Sequence, residues 1–346
     1  MVVRLQKFAK DVGYPRIIIG LFLAFLLVLG IVLRLNMQNL LSNMLIRTAM
    51  NGILVLAMVP SIQAGLGPNF ALPIGIVCGL VGAIISIELG HVGAIGFLVA
   101  LTVAIPLAIL GGILYGILLN KVKGQEMTVG TYAGFSIASG MCIFWLLAPL
   151  NSPKMIWPYG GSGLRVTITL DGIYDKLLNN FLSFELFGIF IPTGLILFWA
   201  LFCYLVLLFT RSKTGLAMKA AGSNPKFAAS SGISVDKSRI IGNTISTILG
   251  AVGILVYCQS YGFIQLYTAP LYMAFPAVAA ILIGGASIGK ASIKNVIIGT
   301  FLFQSLLVVA LPVTNQLIQG DMAEISRIVI SNGMILYALT RKVGGS

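Results

Sequence analysis

The strongest constraint on this chain is a succession of apolar runs, each long enough to cross a lipid bilayer. A spanning helix needs about 20 mainly apolar residues, and ten stretches fit: 17–33, 45–64, 70–89, 92–119, 128–149, 187–209, 239–258, 272–288, 296–312 and 325–340. Hydrocarbon offers backbone N–H and C=O groups no partner, so runs of this kind satisfy themselves as helices. Composition agrees: 58% of residues are hydrophobic, 9% are charged and mean hydropathy is +1.02, where a soluble domain carries roughly 25% charge. The expectation is an all-α polytopic membrane protein of about ten transmembrane helices, forming one domain over residues 1–346. Arg4, Lys7, Lys10 and Arg16 before the first run imitate a secretory signal. That run is too long for a signal core, and Arg34-Leu35-Asn36 follows it without a small-residue cleavage site, so it reads as a retained first span.

An even number of spans puts both termini on one side, and the charges decide which. With a cytosolic N-terminus, the inside segments hold the four residues just named, Lys121, Lys123, Arg211, Lys213, Lys219, Lys226, Lys237, Arg239, Lys290, Lys294, Arg341 and Lys342. These are sixteen of the 22 Lys and Arg residues, and the positive-inside rule therefore places both termini in the cytosol. Arg34, Arg47, Lys154, Arg165, Lys176 and Arg327 remain outside, with Asp171, Asp175, Glu185, Asp321 and Glu324. The formal net charge of +13 does not make a nucleic-acid binder, because the basic residues mark the ends of apolar runs rather than one solvated patch.

Two polar stretches interrupt the runs. The external loop, 150–186, carries Pro153, Pro158, Gly160, Gly161 and Gly163, with Trp157 and Tyr159 suited to the membrane interface and a short helix near Tyr174–Leu182. It either docks another protein or simply connects two spans. The cytosolic loop, 210–239, reads TRSKTGLAMKAAGSNPKFAASSGISVDKSR and has one acid, Asp236. Leu216 to Ala229 reads as a helix interrupted at Gly222-Ser223-Asn224-Pro225. Ser223 or Asn224 would cap the second piece, Pro225 suits its first turn and Gly232 suits its exit. The product is a rigid, small-residue hairpin shaped to seat in a groove on another protein.

The run AAGSNPKFAASSGISVDKSRIIGNTISTILGAVGIL, followed later by FPAVAAILIGGASIGKASIKNVIIGT, resembles the permease subunits of ABC importers that serve ribose and other simple sugars, with relatives for branched-chain amino acids and nucleosides. The resemblance implies a multi-pass subunit of a bacterial-type plasma membrane that forms half of a translocation path. It implies that ATP and Mg²⁺ are bound by a separate ABC ATPase subunit, with no cofactor and no catalysis in this chain. It also implies a second permease subunit, identical or paralogous, and an extracytoplasmic substrate-binding protein. The ATPase would press on Gly222, Ser223, Asn224, Pro225, Ala228, Ala229 and Gly232. The implied solute is a simple sugar or nucleoside; a branched-chain amino acid is the alternative. Sugar-transporting relatives carry a Gly-Gly-Ile-Asp-Leu-Ser type motif near residue 69, where this chain has Asn69 and Phe70 and no acid.

Gln63 to Gly75 (QAGLGPNFALPIG) breaks helix continuity at Gly65, Gly67, Pro68 and Pro73. Broken helices are tolerated only inside protein or along a watery path. Asn69, Phe70 and Pro73, with Asn51 and Gln63, are therefore candidates for the path, or else for interhelical packing. Gly75/Gly79, Gly112/Gly116 and Gly130/Gly134 form three GxxxG pairs that permit close helix approach. Gly284 to Ala291 nearly matches a phosphate-binding P-loop, but Ala291 lacks the Mg²⁺-holding hydroxyl and an apolar run precedes it, so it reads as a turn. His91 is the one histidine and has only Glu88 near it in sequence, which makes no acid–base set. Cys78, Cys142, Cys203 and Cys258 lie far apart in apolar runs and read as small hydrophobes, not ligands. No acid falls at the middle of a span, which argues against a proton-coupled carrier; an ATP-independent carrier or channel is the competing reading.

Overall fold

The computed structural model describes residues 14–157 and 163–317, together with a few helical positions between 325 and 336. In chain order its helices begin with α1 (Tyr14–Val32), α2 (Met37–Leu56), α3 (Met58–Gln63), α4 (Leu72–Glu88), α5 (Gly93–Lys121) and α6 (Glu126–Leu147). An end segment follows with β1 (Thr167–Thr169), α7 (Leu177–Asn180), β2 (Phe184–Leu186) and β3 (Ile189–Ile191). Then come α8 (Thr193–Arg211), α9 (Lys213–Ser223), α10 (Pro225–Ser230), α11 (Val235–Tyr261), β4 (Phe263–Gln265), α12 (Ala269–Tyr272), α13 (Ala274–Ile283) and α14 (Ile293–Leu317).

Among the described residues, six helices are long and apolar enough to cross a membrane: Met37–Gln63, Gly93–Lys121, Glu126–Leu147, Thr193–Arg211, Val235–Tyr261 and Ile293–Leu317. Three more expected runs fall on the shorter apolar helices Arg16–Val32, Leu72–Glu88 and Ala269–Ile283. The tenth, 325–340, lies largely outside the described residues. The second run begins earlier than hydropathy indicates, because Asn36 caps α2 by accepting from the Asn39 N–H at 3.0 Å and the helix carries Arg47 within it. The all-α expectation holds for the body and fails in detail at one end. There β1 pairs antiparallel with β4 (Thr167 opposite Gln265) and β2 pairs antiparallel with β3 (Phe184 opposite Ile191).

The core sits around α2, α4 and α11. The most apolar window of the α2–α3 helix is 78% buried and that of α11 is 67% buried, against 22% for α6 and α8, whose apolar faces look outward. Close packing follows from glycine. A methyl group on Gly112 would stand 2.7 Å from the Thr244 Cα, and one on Gly116 would stand 3.0 Å from the Ile240 Cα. Gly75 and Gly79 abut the backbone of the same helix at Thr247 and Ala251, and Gly134 abuts Phe70 and Pro73. All three GxxxG pairs are thus occupied by contacts inside the chain.

The helix α8 has 19 residues, about 28 Å at 1.5 Å per residue. One end adjoins the 148–192 segment, where the Gly194 N–H donates to the Phe181 carbonyl, and the other adjoins the α9–α10 hairpin. The two polar stretches therefore lie at opposite ends of the bundle. The first is tied down by Glu88, whose carboxylate accepts from the Asn151 and Ser152 N–H groups, both at 3.1 Å. It also buries Met155, Leu164, Ile168 and Leu170, and its short helix is α7, inside the expected Tyr174–Leu182. Trp157 is exposed, while Tyr159 lies outside the described residues.

Candidate translocation and coupling site

The hairpin is built by local capping. Ser212 accepts from the Gly215 N–H at 3.2 Å and starts α9. Of the two candidate caps for α10, Asn224 is the one used: its side chain accepts from the Phe227 N–H at 3.1 Å, with Pro225 in the first turn. Ser223 closes α9 and donates back to the Ala220 carbonyl. Gly232 exits at φ +79, and the Ile233 N–H closes the turn onto the Ala228 carbonyl at 2.9 Å. The Lys219 ammonium donates to the Thr210 carbonyl at 2.9 Å; burial, and then the nearby Arg211 charge, lowers its pKa.

Within the expected seat, Asn224, Pro225, Ala229 and Gly232 are exposed. Ala228 is not: it is 0% exposed, its side chain covered within the chain. Gly222 is likewise a contact within the chain, set against the backbone of Gln63, Ala64 and Gly65. The residue that sequence reasoning missed is Phe227, 64% exposed at the tip of α10. Its signal was an aromatic side chain in a stretch otherwise composed of small and charged residues. Beside it a cleft of about 570 Å³ is lined by Pro225, Lys226, Ala229, Gly232 and the exposed Lys123–Asp236 pair, 2.6 Å apart.

The broken segment between α3 and α4 is buried in protein. Gly65 and Gly67 adopt φ +76 and +77, and the Ser61 hydroxyl donates to the Gly67 carbonyl at 2.8 Å. Asn69, 3% exposed, accepts from the Ala71 N–H at 3.0 Å and donates to the Ser246 hydroxyl of α11 at 2.8 Å. Pro73 sits in the first turn of α4, and the Phe70 ring meets Phe275 with centroids 5.9 Å apart. Gln63 donates to the Ala291 carbonyl at 2.8 Å, while its side-chain oxygen has no partner among the described residues. These four lie along one stretch of chain and engage different neighbours. Asn51 stands apart in α2 and donates to the Arg47 carbonyl at 2.9 Å. The Asn69 side chain thus ties the break to a neighbouring helix, whereas that of Asn51 bonds back within its own helix.

A line of polar groups on α11 was not singled out in the sequence. Arg239 pairs with Glu126 at 2.5 Å, their side chains 10% and 15% exposed, and also donates to the Leu119 carbonyl. One turn further, Asn243 donates to the Gly112 carbonyl at 2.8 Å, and its side-chain oxygen is buried without a partner among the described residues. The P-loop look-alike is a turn: α13 precedes it, and Gly284 O accepts from Arg16 and from Asn295, the latter at 2.6 Å. His91 is exposed and Glu88 is engaged by backbone amides, so the two do not form an acid–base pair. All four cysteines are free thiols.

Stacked apolar helices, a buried break between two of them and a capped polar hairpin at one end define a multi-pass membrane protein of the transporter class. A family model described as branched-chain amino acid transport system / permease component matches residues 40–339, and the chain belongs to that family of ABC permeases. It is similar to the fructose import permease protein FruG of Bifidobacterium longum (strain NCC 2705), with 24% identity over 299 residues that cover 85% of this chain and 81% of the relative. No solved structure matches it.

Proposed function

We propose that the chain is the transmembrane half of an ATP-driven importer for a small polar solute, a simple sugar in the first instance. The observation that carries this reading is the exposed α10, with Phe227 beside a cleft, joined to α9, whose Gly222 abuts the helix break. Its chain of contacts is short. A partner ATPase engaging Asn224, Pro225, Phe227, Ala229 and Gly232 would displace α9; Gly222 bears on Gly65, and Asn69 in the same segment is bonded to α11. Nucleotide closure would thereby move the buried break and the two core helices together. The hairpin would lie in the cytosol and the 150–186 segment on the outer face, where a binding protein delivers solute.

The sugar assignment is supported by the fructose permease relative, and the family description keeps a branched-chain amino acid as the second reading. Purification of the tagged chain from its native membrane tests the first part: an ABC ATPase subunit should accompany it, and a chain that transports alone in proteoliposomes would sink the importer reading. Stimulation of ATP hydrolysis in the reconstituted complex with its binding protein, across sugars, nucleosides and branched-chain amino acids, decides the solute.

A further inference from the structure

At the end of the bundle opposite the hairpin, a cavity of about 550 Å³ opens between α2, α7, β3 and the end of α11. Its walls include Arg47, Lys176, Asn43, Asn180, Phe190 and Tyr261. Two of these are cations, no acidic side chain lines the cavity, and among the described residues neither Arg47 nor Lys176 forms an ion pair. Arg47 uses one donor on the Tyr261 hydroxyl at 3.1 Å, and a guanidinium has five. The Tyr261 ring is already engaged, stacked on Tyr257 at 5.2 Å, meeting the edge of Phe263 at 4.7 Å and lying 5.4 Å from the Arg47 guanidinium carbon. It leaves little face for stacking on a sugar ring, so what the cavity offers a ligand is positive charge and hydrogen-bond donors.

The walls are fixed in place. Asn179, 4% exposed, donates to the Ser260 hydroxyl at 2.9 Å and accepts from Gln259 at 3.3 Å. Gln259 in turn accepts from the Leu178 N–H at 3.0 Å, and its carbonyl accepts from the Lys176 N–H at 2.6 Å. The Lys176 backbone is thereby held at φ +49, in the left-handed region that side-chain-bearing residues rarely adopt. Two like charges lining one partly enclosed cavity repel each other, and an anion placed between them relieves that repulsion while taking charge-assisted hydrogen bonds.

We infer that this cavity binds an anionic group, a phosphate or carboxylate, carried by a small solute or by a lipid headgroup. The site stands apart from the importer reading, since binding is measured on the chain alone, without ATPase or uptake. The test uses the full-length chain in phosphatidylcholine nanodiscs, its thermal midpoint followed as glycerol 3-phosphate is added at constant ionic strength. A second arm exchanges the lipid for phosphatidylglycerol, and glycerol is the neutral control. Glycerol 3-phosphate should raise the midpoint saturably if the source is a solute, and phosphatidylglycerol alone should raise it if the source is a lipid; glycerol should do neither. Lys176→Gln, at an exposed side chain whose loss leaves the fold intact, should weaken the response about tenfold or more. Arg47→Gln should weaken it further. An unchanged midpoint in both arms, or a response of undiminished strength in Lys176→Gln, overturns the assignment.

Discussion

At Gly222 the added methyl group of an alanine would lie 2.6 Å from the Gly65 nitrogen and 2.8 Å from the Ala64 carbonyl carbon. Both are backbone atoms and cannot rotate aside, so Gly222→Ala must push α9 off the helix break, at a cost of about 1–3 kcal/mol. Gly232 is the matched control. An alanine there meets nothing within 4 Å and only the left-handed backbone is strained, about 1 kcal/mol. Thermal midpoints in one detergent should therefore fall more for Gly222→Ala than for Gly232→Ala; equal losses would mean that α9 does not bear on Gly65. The two ion pairs beside the hairpin differ in the same way. Glu126→Gln leaves Arg239 mostly buried without its partner and should cost about 3 kcal/mol or more. Lys123→Ala breaks a pair whose side chains are 53% and 56% exposed and should cost about 1 kcal/mol or less. A urea or thermal series on both variants checks the order.

For the α10 element, the proposed seat and the buried support lie on different residues, Phe227 exposed and Ala228 covered. Phe227→Ala removes an exposed ring and should leave the thermal midpoint unchanged while reducing the ATPase recovered with the chain. Ala228→Trp forces a large side chain into a fully buried position, and it should destabilise the chain before any partner is involved. If Phe227→Ala retained its ATPase in full, the tip would not be the seat. The boundaries of this element were legible in the sequence because capping is local: Asn224, Pro225 and Gly232 each act within a few residues of themselves. The inward turn of Ala228 was not, since a six-residue helix is too short for a hydrophobic period to reveal its faces. Asn69 illustrates the same limit on a larger separation. A polar residue in an apolar run signals that some partner exists, but Ser246 lies 177 positions from Asn69, and only the fold brings them together. The small strands at the outer end escaped for a different reason: each has three residues, too few for an alternating pattern to show, and β1 finds its partner β4 almost a hundred residues later.

Across the whole molecule, the apolar runs and the placement of charge were the legible part, because a bilayer imposes one rule on every segment at once. Nine of the ten runs fall on apolar helices, and α8 separates the two polar stretches by its full length. Lys226 and Lys154 are both exposed, at opposite ends. In a background with Cys78, Cys142, Cys203 and Cys258 replaced by alanine, Lys154→Cys in intact cells should react with a membrane-impermeant maleimide. Lys226→Cys should react only after the membrane is opened; labelling of both from outside would invert the proposed orientation. The abutment of Gly222 on Gly65 has a further consequence for how such a machine can be rewired. In the proposed cycle, force would cross there through main chain alone, while the choice of motor would rest on the side chains of a different surface. Swapping the tip residues for those of another system should let a foreign ATPase drive this conduit, with the gearing beneath it left as it is.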